Sequence, residues 1–455
     1  MAKYPVYKES DLHQTEFRNF DEALMPATVL YHPSGVYNDC RRQWQQYCQY
    51  LYEAIEHYIW HIGFGGRDLN IGDRQHLLGV RIGASAMTKA IYVGVDGKAR
   101  KVKKIYVGVS DKARKVKKAY IGVGGVARPF FSSEPELTNY GAITPLSVAR
   151  YHLAATSVGN YALFAGGSQT SASTTRSAYV DAYDANLTRT TPADLNERTS
   201  LLQATTVGNY ALFGGGSLSG GSVVTAYDTN LAKSTPTGLA SAHSQHAATS
   251  VGNYALFGGG LASGTATTAV DAYNNNLTRS TPTALSVGRY NLAATAVGNY
   301  ALFGGGHTGR ATSAVVDAYN NNLTRSTPTQ LDKAQNSLDG TMVGSYGVFG
   351  SASSVDAYDT NLTKSSPAKL SSGRRYAVAT TVDNYAIFAG GGTATSPIAT
   401  VDAYDQNLTQ SIPKPLNVAR YGAAATTVGK YALVGGGTID SNSTTTTSVE
   451  AYTVG

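Results

Sequence analysis

Cysteine is nearly missing from this chain. Its 455 residues hold two, Cys40 and Cys48. Eight residues apart in one helix, their Cα atoms would stand ~12 Å from each other, beyond disulfide reach. No disulfide framework is expected. Tryptophan is as scarce, with Trp44 and Trp60 both near the N-terminus. Charged residues make up only 15%. No run approaches the ~18 apolar residues of a membrane span, so no membrane insertion is expected. The opening Met-Ala-Lys-Tyr-Pro-Val-Tyr-Lys-Glu-Ser lacks the apolar core of a secretory signal.

Glycine (49) and tyrosine (31) are plentiful instead, and they are periodic. The phrase Val-Gly-Asn-Tyr-Ala-Leu-Phe-Gly-Gly-Gly recurs with its tyrosine at Tyr161, Tyr210, Tyr254, Tyr300, Tyr346, Tyr385 and Tyr431. A period of about 40–50 residues rich in strand formers and glycine signals a β-propeller, because one such unit cannot bury its own apolar face. Seven copies predict seven blades and a mainly β fold. In the fourth unit the expected strands are Asn291–Val297, Tyr300–Gly304, Ala314–Tyr319 and Leu323–Pro328. Turns at Gly298-Asn299 and Asn320-Asn321-Asn322 would supply residues that tolerate positive φ.

Three parts are expected: 1–88, 89–136 and 137–455. In the first, Asn38 or Asp39 would cap a helix running to about His61. Trp44, Tyr47, Cys48, Leu51, Ile55, Tyr58, Ile59 and Ile62 give it one apolar face. That face either packs on its own small domain or serves docking and oligomerisation. His57 and His61 lack the Glu of a metalloprotease helix, and no metal or other cofactor is expected.

The second part is a basic repeat of 14 residues, from Tyr92 to Tyr106 to Tyr120. Twelve Lys/Arg lie between Lys89 and Arg128 against Asp96 and Asp111, an excess of +10. The net +7 of the chain is therefore local, and the remainder sums to about −3. Each copy reads as a β-hairpin turning at Asp96-Gly97 or Ser110-Asp111. No aromatic platform is interleaved with the basic run, so nucleic acid is not the expected partner.

The propeller ends at Val449-Glu-Ala-Tyr-Thr-Val-Gly, where a fourth strand is missing. Leu137–Leu146 matches the fourth-strand pattern and is expected to complete the seventh blade, removing two free edges.

Sites can be sought by loop face. The loops between the second and third strands vary: Ser168–Ser177, Ser217–Ser222, Leu261–Thr268, His307–Ser313, Thr393–Thr400 and Thr438–Thr447. Variation over a constant frame is how binding surfaces are built. On the same face a polar ring falls at Arg150, Arg198, His243, Arg289, Gln335, Arg374 and Arg420, with Tyr151, Tyr290, Arg375 and Tyr421 following four of them. Two roles are open: internal hydrogen bonding, or binding of an anionic ligand. The recurrent Asp181, Asp271, Asp317, Asp356 and Asp402 obey the repeat, and a catalytic group would more often break it. Asn-Leu-Thr triplets at Asn186, Asn276, Asn322, Asn361 and Asn407 share one turn, which suits turn asparagines better than glycosylation.

Two resemblances add to this. The tandem Tyr-Val-Gly-Val-Asp-Gly-x-Ala-Arg-Lys-Val segment resembles repeats in tail-associated and other minor structural proteins of phages and prophages of Gram-positive bacteria. It covers about forty residues. The pattern Arg…Tyr-Ala-Leu-Phe-Gly-Gly-Gly…Val-Asp-Ala-Tyr-Asp…Leu resembles the kelch repeat. The tryptophan of the kelch fourth strand is replaced by Thr or Ser near Thr191, Thr235 and Thr281. Copper-radical propellers need a cysteine and sialidase-type propellers a tryptophan motif, and residues 137–455 have neither. The resemblance thus implies a virion protein, not an enzyme, made in the host cytoplasm. Residues 1–130 would meet other virion proteins, and the chain is expected to form a homo-oligomer. The propeller would meet a host glycan or teichoic acid. A collar or capsid decoration protein, and a glycan-cleaving enzyme, are the alternatives.

Overall fold

The structure is a computed structural model. It describes residues 92–95, 98–101, 105–109, 112–116, 118–123, 126–132 and 135–455, apart from 171–174, 217–220, 352–353, 394–395 and 442–443. The expected helix of residues 38–61 and the turns Asp96-Gly97 and Ser110-Asp111 lie outside the described residues. The chain divides into two units at Pro135/Glu136.

In the first unit the repeats form hairpins. Tyr92–Val95 pairs with Lys98–Lys101, Ile105–Val109 with Lys112–Val116, and Lys118–Val123 with Val126–Ser132.

The second unit is a seven-bladed β-propeller. Six blades are four-stranded antiparallel sheets of consecutive chain. In the fourth blade the strands are Ala293–Val297, Tyr300–Gly304, Val316–Asn320 and Arg325–Ser326. The seven innermost strands neighbour one another in a closed cycle, the last (Ala424–Val428) meeting the first (Ala154–Val158). Leu137–Ile143 pairs with Val449–Val454 as the fourth strand of the seventh blade, with a bulge between Ala451 and Tyr452. Both ends of the unit are thereby held in one sheet.

The core sits between blades. Leu302, Val316 and Ala318 of the fourth blade pack with Phe349 and Tyr358 of the fifth. Phe303 and Tyr319 meet edge to face at 5.9 Å, a contact repeated by five other Phe–Tyr pairs. Each of the seven third-strand tyrosines also donates its hydroxyl to the segment entering its own blade, as Tyr319 does to the Thr283 carbonyl at 2.7 Å. Glycine at the end of the second strand makes this packing possible. A Cβ on Gly258 would lie 2.9 Å from the Phe303 ring.

The fourth strands are shorter than expected, two residues in each of the first six blades. The turn before them is also built differently. The positive-φ residue is not asparagine but the leucine that follows, Leu323 at 61° and its equivalents Leu187, Leu231, Leu277, Leu362 and Leu408. Asn320 Oδ1 accepts the Asn322 and Thr324 N–H groups, and Leu323 packs against the inter-blade core. Apolar burial and an Asx turn hold a conformation that leucine alone disfavours.

Candidate functional site

The polar ring is an internal lattice of ion pairs. Arg150, Arg289, Arg374 and Arg420 are wholly buried. Their guanidiniums pair with the acid at the second position of the third strand: Arg150–Asp181 at 2.7 Å, Arg289–Asp317 at 2.5 Å, Arg374–Asp402 at 2.7 Å and Arg420–Glu450 at 2.5 Å. The same acids accept a backbone N–H from the entering loop, as Asp317 does from Ser286 and Glu450 from Asn417. Burial lowers the Arg289 guanidinium while Asp317 opposes that shift. None of these four guanidiniums is offered to solvent.

The other three positions depart from the pattern. Gln335 reaches Ser354, whose hydroxyl donates to Asp356. His243 is buried, with no partner for either ring nitrogen. Arg198 is one residue out of register. The second blade's inner strand starts at Gln203, so the position four before it is Thr199. Thr199 is buried and donates to the Gly215 carbonyl, while Arg198 is exposed. The facing acid is there replaced by Thr225, so both partners of the pair change together.

Loops sort onto faces as the antiparallel order requires. Tyr151, Tyr290, Arg375 and Tyr421, entering a blade, bridge to Ser168, His307, Gly392 and Thr438, which start the variable loops. Both loop sets therefore share the face on which the central channel opens.

At that mouth stands a ring of seven equivalent residues: His152, Leu201, Gln245, Asn291, Ser337, Tyr376 and Gly422. All have φ between 51° and 62°. Each non-glycine member costs about 1 kcal/mol in this region. Hydrogen bonds passing from blade to blade offset the strain. The N–H of His152 donates to Gly422 at 2.7 Å, Leu201 to His152 at 3.0 Å, Gln245 to Leu201 at 3.2 Å, Asn291 to Gln245 at 2.9 Å, Ser337 to Asn291 at 2.9 Å and Tyr376 to Ser337 at 3.0 Å. Among the described residues the seventh link, Gly422 to Tyr376, is the one not made.

Aromatic side chains gather at this break. Tyr376 is 44% exposed and lies 6.5 Å from the Tyr421 ring. Tyr151 stacks on His152 at 4.4 Å. Glycine at 422 admits His152, whose ring would be 3.0 Å from an added Cβ. Tyr151 and Tyr421 thus come together, with two residues not singled out from sequence, His152 and Tyr376. Tyr290 sits apart with His307, 5.3 Å away. Arg375 is exposed.

Behind the mouth the channel encloses about 320 Å³. Alanine and leucine are the commonest residues along it, but the surface exposed to the channel is mostly polar, and Asp339 is its one carboxylate. The six equivalent positions hold Ala154, Gln203, Ala247, Ala293, Val378 and Ala424. Asp339 accepts the Gly340 N–H at 2.8 Å and the Ala379 N–H of the next blade at 2.7 Å. Burial pushes its carboxyl up to about 7 against these two donors. It is followed by Gly340 where the other blades have alanine, and a Cβ there would lie 2.6 Å from the Ala294 carbonyl oxygen. The repeat-breaking Asp-Gly pair was the available sequence signal. Among the described residues no group of His, Cys, Asp and Glu is arranged to hold a metal ion.

No protein-family model and no curated protein matches the sequence. Among solved structures the chain is similar to one titled "Structure of YjhT", at 11% identity and a TM-score of 0.47, covering 69% of this chain and 99% of that one.

Proposed function

We propose that the chain is a non-enzymatic virion protein of a tailed phage, tail-associated or fibre-like, whose propeller binds a host-surface glycan or teichoic acid. The observation that carries this is the mouth itself. His152 and Tyr376 line an open recess, with Tyr151 packed on His152 and Tyr421 beside Tyr376, inside a rim of variable Ser/Thr/Gly loops. Rigid aromatic rings beside adaptable hydrogen-bonding loops suit a sugar polymer, offering contact area at low entropy cost. Recessed, largely preformed sites at channel mouths are where ligands bind on closed β folds.

The virion assignment draws on the basic hairpins, whose sequence resembles phage structural repeats, and the propeller repeat is read as a divergent kelch type. Residues 1–130 are assigned to other virion proteins, with self-association of the mounted chain.

The test is adsorption of the fluorescently labelled full-length protein to isolated Gram-positive cell walls, before and after chemical removal of teichoic acid. Saturable binding that free wall polysaccharide competes away supports the proposal. Failure to adsorb to walls from a broad host panel sinks it.

A further inference from the structure

Six blades line the channel with neutral residues at the Asp339 position, and one does not. Asp339 has no cationic neighbour there. The titratable groups sharing the cavity are His152, His246 and Tyr376. Burial lowers His152 to about 4 and His246 well below its ordinary value, so both imidazoles are neutral near pH 7. The Gly340 and Ala379 N–H groups take one lone pair on each carboxylate oxygen. A second acceptor direction on each oxygen is left, and Asp339 keeps part of its surface open.

We propose that the channel binds a small organic ammonium group, with Asp339 as its counter-ion and Tyr376 at its rim. This rests on the channel-mouth reading above and names the chemistry of its ligand. A recessed carboxylate with no cationic neighbour attracts a cation more strongly than it would in bulk water. Tyr376, which lines the cavity, offers an aromatic partner for a cation that carries alkyl groups. A bare metal ion would want several oxygen ligands, and the channel supplies one carboxylate. A bare anion would meet Asp339 with no base to offset it, so an anionic wall polymer would enter the channel through a cationic substituent and not through its phosphates. The cavity's volume falls at the low end of small-molecule sites.

Choline and its uncharged isostere 3,3-dimethylbutan-1-ol are the probes, titrated into the full-length protein by calorimetry with thermal melting in parallel. Choline is expected to bind saturably and raise the melting temperature. The alcohol is expected to bind at least tenfold more weakly. Asp339→Ala restores the residue of four other blades, so it should fold, and it is expected to lose choline binding tenfold or more. Affinity should rise as pH goes from 6 to 8, since the carboxyl ionises near 7. Equal binding of choline and the alcohol, or unchanged choline binding by Asp339→Ala, overturns the proposal. Wall adsorption of the wild type separates the two claims. If walls bind the wild type but choline does not, only the ammonium assignment fails. If walls do not bind the wild type, the function proposed above fails whatever choline does.

Discussion

Arg289 Nη2 stands 2.5 Å from Asp317 Oδ2, and neither side chain has any surface in water. Arg289 also donates to the Gly305 and Val315 carbonyls at 2.8 and 2.5 Å, tying the entering loop to the second and third strands. Removing Arg289 takes away the closest cation of Asp317 and leaves it Arg325 at 3.1 Å on its other oxygen; breaking a buried pair of this kind costs up to about 3–5 kcal/mol. Arg289→Ala should therefore lower the melting temperature sharply. The Thr199/Thr225 pair of the second blade indicates the rescue. Arg289→Thr with Asp317→Thr should recover a large part of the loss, and a double-mutant cycle by urea unfolding measures it.

The third blade is the weak member of the lattice. His243 and His246 lie 4.7 Å apart, and the His243 ring nitrogens have no partner, beside an Asp271 oxygen that is also unpartnered. Burial raises the Asp271 carboxyl. His243→Arg restores the ion pair of the neighbouring blade and is expected to raise the melting temperature at pH 7. A fall would show that the pocket cannot take the longer side chain.

The same histidines set a pH response. Burial lowers His243 to about 4, as it does His152. The unfolded chain takes up these protons near 6.5, whereas the folded chain resists until about 4. Their contribution is thus complete above about 6.5 and is lost as pH falls from there to about 4. Each group gives a slope of about 1.4 kcal/mol per pH unit at most. Urea midpoints between pH 7 and 4 should fall in the wild type and fall less in His243→Arg.

Closure by Leu137–Ile143 has its own consequence. Without that strand, Val449–Val454 becomes a bare edge, a template for pairing with another chain. A chain starting at residue 147 should melt lower and elute from size exclusion as aggregates. A monomeric product of unchanged melting temperature would show that the ring does not depend on this strand.

The blade count, the second strands and the closing segment were legible because each repeats a local pattern that tertiary packing then reuses. Tyr300–Gly304 has the same limits in sequence and structure. The register of Arg198 is not legible in the sequence because the second blade carries one residue more between its arginine and its inner strand, and only strand pairing reveals that. The positive φ of Leu323 is not legible in the turn sequence because it depends on burial against the preceding blade. Tyr376 and His152 were invisible as a pair, since more than two hundred positions separate them and only closure of the ring makes them neighbours on one rim. Asp339 was visible as a break in Ala-Ala-Thr, but its meaning required knowing that this position faces the channel.

The most direct measurement is the wall-binding isotherm of the full-length protein against a variant carrying Tyr151→Ala, Tyr376→Ala and Tyr421→Ala. These side chains sit at the rim, outside the ion-pair lattice. Binding weakened at least tenfold, with a melting temperature within a few degrees of the wild type, is the expected result. An unchanged isotherm would contradict the assignment of the channel mouth as the binding surface.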